Sequence, residues 1–205
     1  MRKLVQVDPV RLAVGFAVVI AVLGVLGAIE VRYEAAPAFD LDAEVKVPAF
    51  AAGLILLGAA AASALAATTE PAGRRWPWLV LAALFTLMAI DEATGLHEAL
   101  EDGTGVDWQT LYLPLMAAGG VAWLALLRWL RAVPIAAALL AAGAALWVIA
   151  GVLEAIQWTG PMERERAVDG YGILMGMEEL SELSGSACFA LAPLVTARAR
   201  LRVSA

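Results

Sequence analysis

Apolar residues run through this chain in long, almost unbroken blocks, and polar residues are confined to the short intervals between them. Six blocks have spanning length: residues 12–29, 48–67, 76–98, 111–130, 134–157 and 172–195. Each is close to the ~20 residues that an α-helix needs to cross a hydrocarbon core ~30 Å thick. Pro48, Pro77 and Pro134 fall in first turns, where a missing N–H costs nothing. The stretches "EDGTG" (101–105) and "WTGP" (158–161) read as turns. The pattern predicts an all-α integral membrane protein, one six-transmembrane-helix bundle over residues 1–205. The first block follows the basic start "MRK", but it is too long for a signal peptide and lacks a convincing cleavage site. It is expected to remain as a span.

Composition agrees. Hydrophobic residues make up 62% and charged residues only 17%, where a soluble domain has about 45–50% and about 25%. Mean hydropathy is +0.80. The single cysteine, Cys188, rules out an internal disulfide and a cysteine-based zinc site. It reads as a small packing residue. His97 is the only histidine, which excludes bis-histidine haem and sites with three histidines. Lys3 and Lys46 are the only lysines, neither of them mid-membrane, so a retinal Schiff base is not expected.

Charge gives the bundle a direction. With six spans, the side holding both termini carries Arg2, Lys3, Arg11, Arg74, Arg75, Arg128, Arg131, Arg198, Arg200 and Arg202, ten of the 14 basic residues. Positive residues stay inside, so both termini are expected in the cytoplasm, and the membrane is expected to be the plasma (inner) membrane. Trp76, Trp78 and Trp129 are expected as aromatic anchors at the inner edge. Tyr33, Trp108, Tyr112, Trp158 and Tyr171 are expected at the outer one. The acids split more sharply: of 20, only Asp8 and Glu70 lie on the cytoplasmic side. Acids contribute little to orientation, so this asymmetry calls for another cause.

That cause is sought in the outer half. "AIDEATGLHEAL" (89–100) sets Asp91, Glu92, His97 and Glu98 on what reads as one helix, with Asp91 roughly 7 Å above the midplane at ~1.5 Å per residue. The fifth span brings Glu154, with Gln157 one turn on, and "MEELSEL" (177–183) brings Glu178, Glu179 and Glu182. Three helices thus carry carboxylates to similar heights. At ~100° per residue, Asp91 and Glu98 share a face, whereas His97 and Glu92 point away from Asp91 by roughly 100–120°. Spacing alone therefore does not bring His97 to one ligand with Asp91. Glu178 and Glu182, at i and i+4, repel one another and need a neutralising partner. Carboxylates inside a membrane are costly and mark a functional site by default.

Three partners fit. A divalent cation is preferred: Mg, Ca or Mn suits hard oxygens, and Zn, Mn or Fe suits carboxylates with one imidazole. Asp91, Glu92, Glu154, Glu178, Glu179 and Glu182 are the candidate ligands. Protons are the second partner, and Arg164 or Arg166 of "MERERA" the third. A metal-dependent enzyme would use His97 or Glu98 as general base on a lipid or lipid-linked substrate. A cation- or proton-coupled transporter would use the same acids, but the inner half offers only Ser63 and Thr86 as polar provision. A non-catalytic subunit or scaffold needs only docking acids. Glu101, Asp102 and Asp107 read as a solvated loop. "LMAIDEAT" (87–94) and "LMGMEELS" (174–181) form a weak repeat of the kind seen in inverted-repeat transporters. No P-loop, Gly-x-Ser-x-Gly, His-Glu-x-x-His or paired Glu-x-x-His occurs. Hydrolases of the alkaline-ceramidase type use several histidines on seven spans, so that likeness fails. Membrane lipids are the expected surroundings, and no nucleic-acid partner is expected.

Overall fold

The computed structural model describes residues 8–41, 46–157 and 171–203, and among these there is no strand. Seven α-helices follow one another: α1 (Pro9–Tyr33), α2 (Val47–Thr69), α3 (Trp76–Thr94), α4 (Leu96–Thr104), α5 (Trp108–Trp129), α6 (Pro134–Gln157) and α7 (Tyr171–Val203). All but α4 are long and apolar enough to cross a membrane, and the chain is a multi-pass membrane protein on that ground. Pro48, Pro77 and Pro134 open α2, α3 and α6 as the sequence predicts, and Pro9 opens α1 under an Asp8 cap that accepts from the Val10 N–H. One expectation is corrected. The block 76–98 is not one helix: it breaks at Gly95, and "EDGTG" is mostly the end of α4 rather than a turn.

The helices α5, α3, α2, α7 and α6 pack in that order side by side, and α1 lies outside against α7. The Trp123 indole N–H donates to the Leu140 carbonyl (2.9 Å) and ties α5 back to α6. Small residues line the contacts while large ones face outward. On α2, Ala59 and Ala66 are fully buried, whereas Leu54 is 70% exposed. Water would drive the reverse arrangement; hydrocarbon gives no reason to hide leucine, so packing of small side chains decides the interface. The closest approach is between α6 and α7, where Gly143 and Gly185 meet backbone to backbone. An added Cβ on Gly185 would stand 3.0 Å from the Gly143 carbonyl oxygen.

Rings from three helices fill the middle of the bundle. Phe85 of α3, Trp147 of α6 and Phe189 of α7 lie 5.0–6.1 Å apart, centroid to centroid. At the end carrying the termini, Glu70 is 5% exposed and accepts from the Arg200 Nε at 2.7 Å. Arg75 Nε donates to the Glu70 carbonyl, and Arg198 reaches Asp8 at 3.7 Å. At ~1.5 Å per residue α7, with its 33 residues, outruns a ~30 Å core, and its overhang carries these arginines. Trp76 and Trp129, both expected as boundary anchors, sit edge to face at that end. Trp78 does not: it is 1% exposed, a core residue.

Candidate functional site

The Gly95 break builds the site. Gly95 has φ +59°, the left-handed conformation that a residue with a Cβ adopts only at a cost. Its N–H closes α3 on the Asp91 carbonyl, and α4 then leaves in a new direction. His97 thereby swings back over the end of α3. Its main-chain N–H donates to Asp91 Oδ1 (2.7 Å), and its ring Nδ1 lies 3.2 Å from Asp91 Oδ2. The 100–120° separation of these two side chains, expected for a continuous helix, is therefore corrected. For the same reason Asp91 and Glu98 do not share a face: Glu98 lies exposed on α4. Replacing Gly95 by alanine forces a Cβ into the left-handed region, at a cost of about 1 kcal/mol. The expected result is a modestly lower unfolding midpoint in detergent, with the His97 ring resonances shifted.

Around this pair stand groups from two further helices. The His97 ring packs on Trp108 at 5.5 Å, and Trp108 on Tyr112 at 5.9 Å. The Tyr112 hydroxyl, in a residue only 6% exposed, faces the Asp91 carboxylate, and among the described residues it meets no partner at full hydrogen-bond geometry. Trp108 and Gln109 offer donors to the Glu154 carboxylate. Asp107 caps α5 through the Gln109 N–H and Glu101 accepts from the Trp108 N–H, so the loop expected to be merely solvated helps to position Trp108. Tyr112 and Trp108, expected as boundary anchors, are part of the site.

The α7 acids have other neighbours. Glu178 accepts from the Gln157 side chain, and the Trp147 indole N–H lies between the Glu182 carbonyl and the Ser186 hydroxyl, 3.3 Å from each. Glu92 faces α2 beside Gly53, and Glu179 is half-buried on α7. Among the described residues, no group of three or more His, Cys, Asp or Glu side chains is arranged to hold a metal ion. Arg164, Arg166 and Trp158 lie outside the described residues, as does the side chain of Tyr171. The two halves of the weak repeat also differ in structure: the first ends at the Gly95 break, and the second lies within unbroken α7.

The aromatic contacts set the depth of these acids. Asp91 is six residues beyond Phe85, Glu154 seven beyond Trp147, and Glu182 seven before Phe189. At ~1.5 Å per residue these positions lie ~9–10 Å along their helices from the ring-bearing residues, all toward the same end, and the Trp147 indole reaches up to the Glu182 carbonyl. Thr86, one residue beyond Phe85 at the level of the rings, spends its hydroxyl on the Ala82 carbonyl, and the buried Ser63 hydroxyl of α2 has no partner among the described residues.

The chain belongs to the family described as Domain of unknown function (DUF8692), whose model matches residues 11–197. No curated protein and no solved structure matches it.

Proposed function

We propose that this multi-pass membrane protein, with both termini in the cytoplasm, carries an acid–base site at its extracytoplasmic end that acts on a lipid or lipid-linked substrate. The observation that carries the reading is the double engagement of Asp91 by His97, through the main-chain N–H and through Nδ1. A carboxylate on Nδ1 holds imidazole in one orientation and one tautomer, and sets Nε2, across the ring, to take a proton. The Tyr112 hydroxyl, buried beside Asp91 and without a full hydrogen bond among the described residues, would donate to an oxygen of the substrate. Glu154, beside Trp108 and Gln109, would receive or return the proton. The ring layer of Phe85, Trp147 and Phe189 stands between this site and the other half of the bundle. That favours chemistry at one surface over passage through the bundle.

One feature also favours a divalent cation. A histidine that binds metal through one ring nitrogen usually gives the other to a carboxylate, and His97 does so with Asp91. In that reading Nε2 and the Glu154 carboxylate are the ligands nearest to hand, and Glu92, Glu178, Glu179 and Glu182 form a second acidic layer.

Because His97 is the only histidine, nitrogen-15 labelling of histidine reports one ring without overlap. The expected spectrum near neutral pH shows the proton on Nδ1 and an unprotonated Nε2. Asp91→Asn should shift the proton toward Nε2. An Nε2–H ring in wild type, insensitive to residue 91, would sink the acid–base reading. Stoichiometric metal in the purified protein, lost in His97→Ala and Glu154→Ala, would replace it with the metal one.

A further inference from the structure

We infer that the face of α5 at the terminal end binds the phosphate headgroup of an anionic phospholipid, held by Arg128 and Arg131, with an acyl chain lying along Leu124 and Leu127. This inference uses the multi-pass architecture alone and does not depend on the Asp91–His97 site. An open groove of about 460 Å³ is lined by Leu124, Ala125, Leu127, Arg128 and Arg131. The residues repeat at helical spacing, so the apolar positions stand below the basic ones on one face. After Trp129 the helix tightens into a 3-10 turn over Leu130–Ala132. Arg128 and Arg131, three residues apart across this junction, both line the groove. The result is an apolar strip with two arginines at its end, complementary in charge and polarity to an anionic amphiphile.

The charge balance at this end supports the same occupant. Only Asp8 and Glu70 are acidic there, and both are engaged: Asp8 by Arg11 and Arg198, Glu70 by Arg200. Among the described residues no carboxylate lies within ion-pair distance of Arg128 or Arg131. Arg74 stands over the Trp129 ring at 5.7 Å, and Trp129 packs on Trp76. The groove thus lies at the level where indoles meet headgroups. Basic clusters beside apolar helix surface at this level attract anionic headgroups, and each arginine near the surface contributes on the order of fivefold in affinity.

The test uses the full chain in nanodiscs of phosphatidylcholine containing a minority of phosphatidylglycerol, with co-retained lipid counted by native mass spectrometry after transfer to detergent. Wild type should retain phosphatidylglycerol over phosphatidylcholine by on the order of tenfold or more. The double variant R128Q/R131Q should lose that preference, and R202Q, an exposed arginine of the same end outside the groove, should keep it. The preference surviving in R128Q/R131Q overturns the site. Equal loss in R202Q shows attraction by net charge and overturns it too. Displacement of the lipid by millimolar inorganic phosphate would show a free-anion site in its place.

Discussion

Glu70→Ala is expected to lower stability by about 3 kcal/mol, read as the midpoint of denaturant unfolding in detergent. Breaking a buried ion pair from one side costs about 3–5 kcal/mol. The lower end applies here, since the Glu70 side chain is 4% exposed but that of Arg200 is 27% exposed and can reach water. The pair joins residues 130 apart, at the end of α2 and the overhang of α7. Its loss removes one tie of the overhang and leaves the Arg198–Asp8 contact. Glu70→Ala/Arg200→Ala should therefore cost less than the two single changes added together. Strict additivity, or a Glu70→Ala midpoint within about 0.5 kcal/mol of wild type as for an ordinary surface change, would show that the pair holds nothing.

Gly185→Leu is expected to cost about 3 kcal/mol, the upper end of overpacking in a well-packed core. A Cβ at this position would stand 2.5 Å from Trp147 Cδ1 and 3.0 Å from the Gly143 carbonyl oxygen. The carbonyl belongs to a helix backbone and has no rotamer to escape into. Trp147 is held by the Glu182 carbonyl, the Ser186 hydroxyl and the rings of Phe85 and Phe189. So α6 and α7 must separate. Glu154, two turns further along α6, would move with it, and the Trp147 indole N–H resonance should shift strongly. Gly185→Ala should show a smaller cost of the same kind. An unchanged midpoint for both would mean that this contact yields freely.

Hydrophobic pattern by itself determined that the chain is a helical bundle with six spanning segments. Spanning length and helix punctuation are local properties, legible one segment at a time. The same pattern picked out Asp91, His97 and Glu154, because a charge within an apolar block is costly wherever the block later packs. Their mutual arrangement was not legible. Counting ~100° per residue set His97 away from Asp91, and one glycine at φ +59° undid the count. That glycine was visible at position 95, but in a helical run glycine reads equally as a packing residue or as a break. Trp108, Gln109 and Tyr112 were hidden differently: at the end of a span, aromatic residues read as boundary anchors. Only the neighbouring helices decide whether such a ring meets lipid or His97. Nothing local sets Glu70 apart from any other acid in a loop, because its partner lies 130 residues away. Local order fixes where each helix runs; contact between helices distant in sequence fixes which charges meet, and that belongs to the tertiary structure alone.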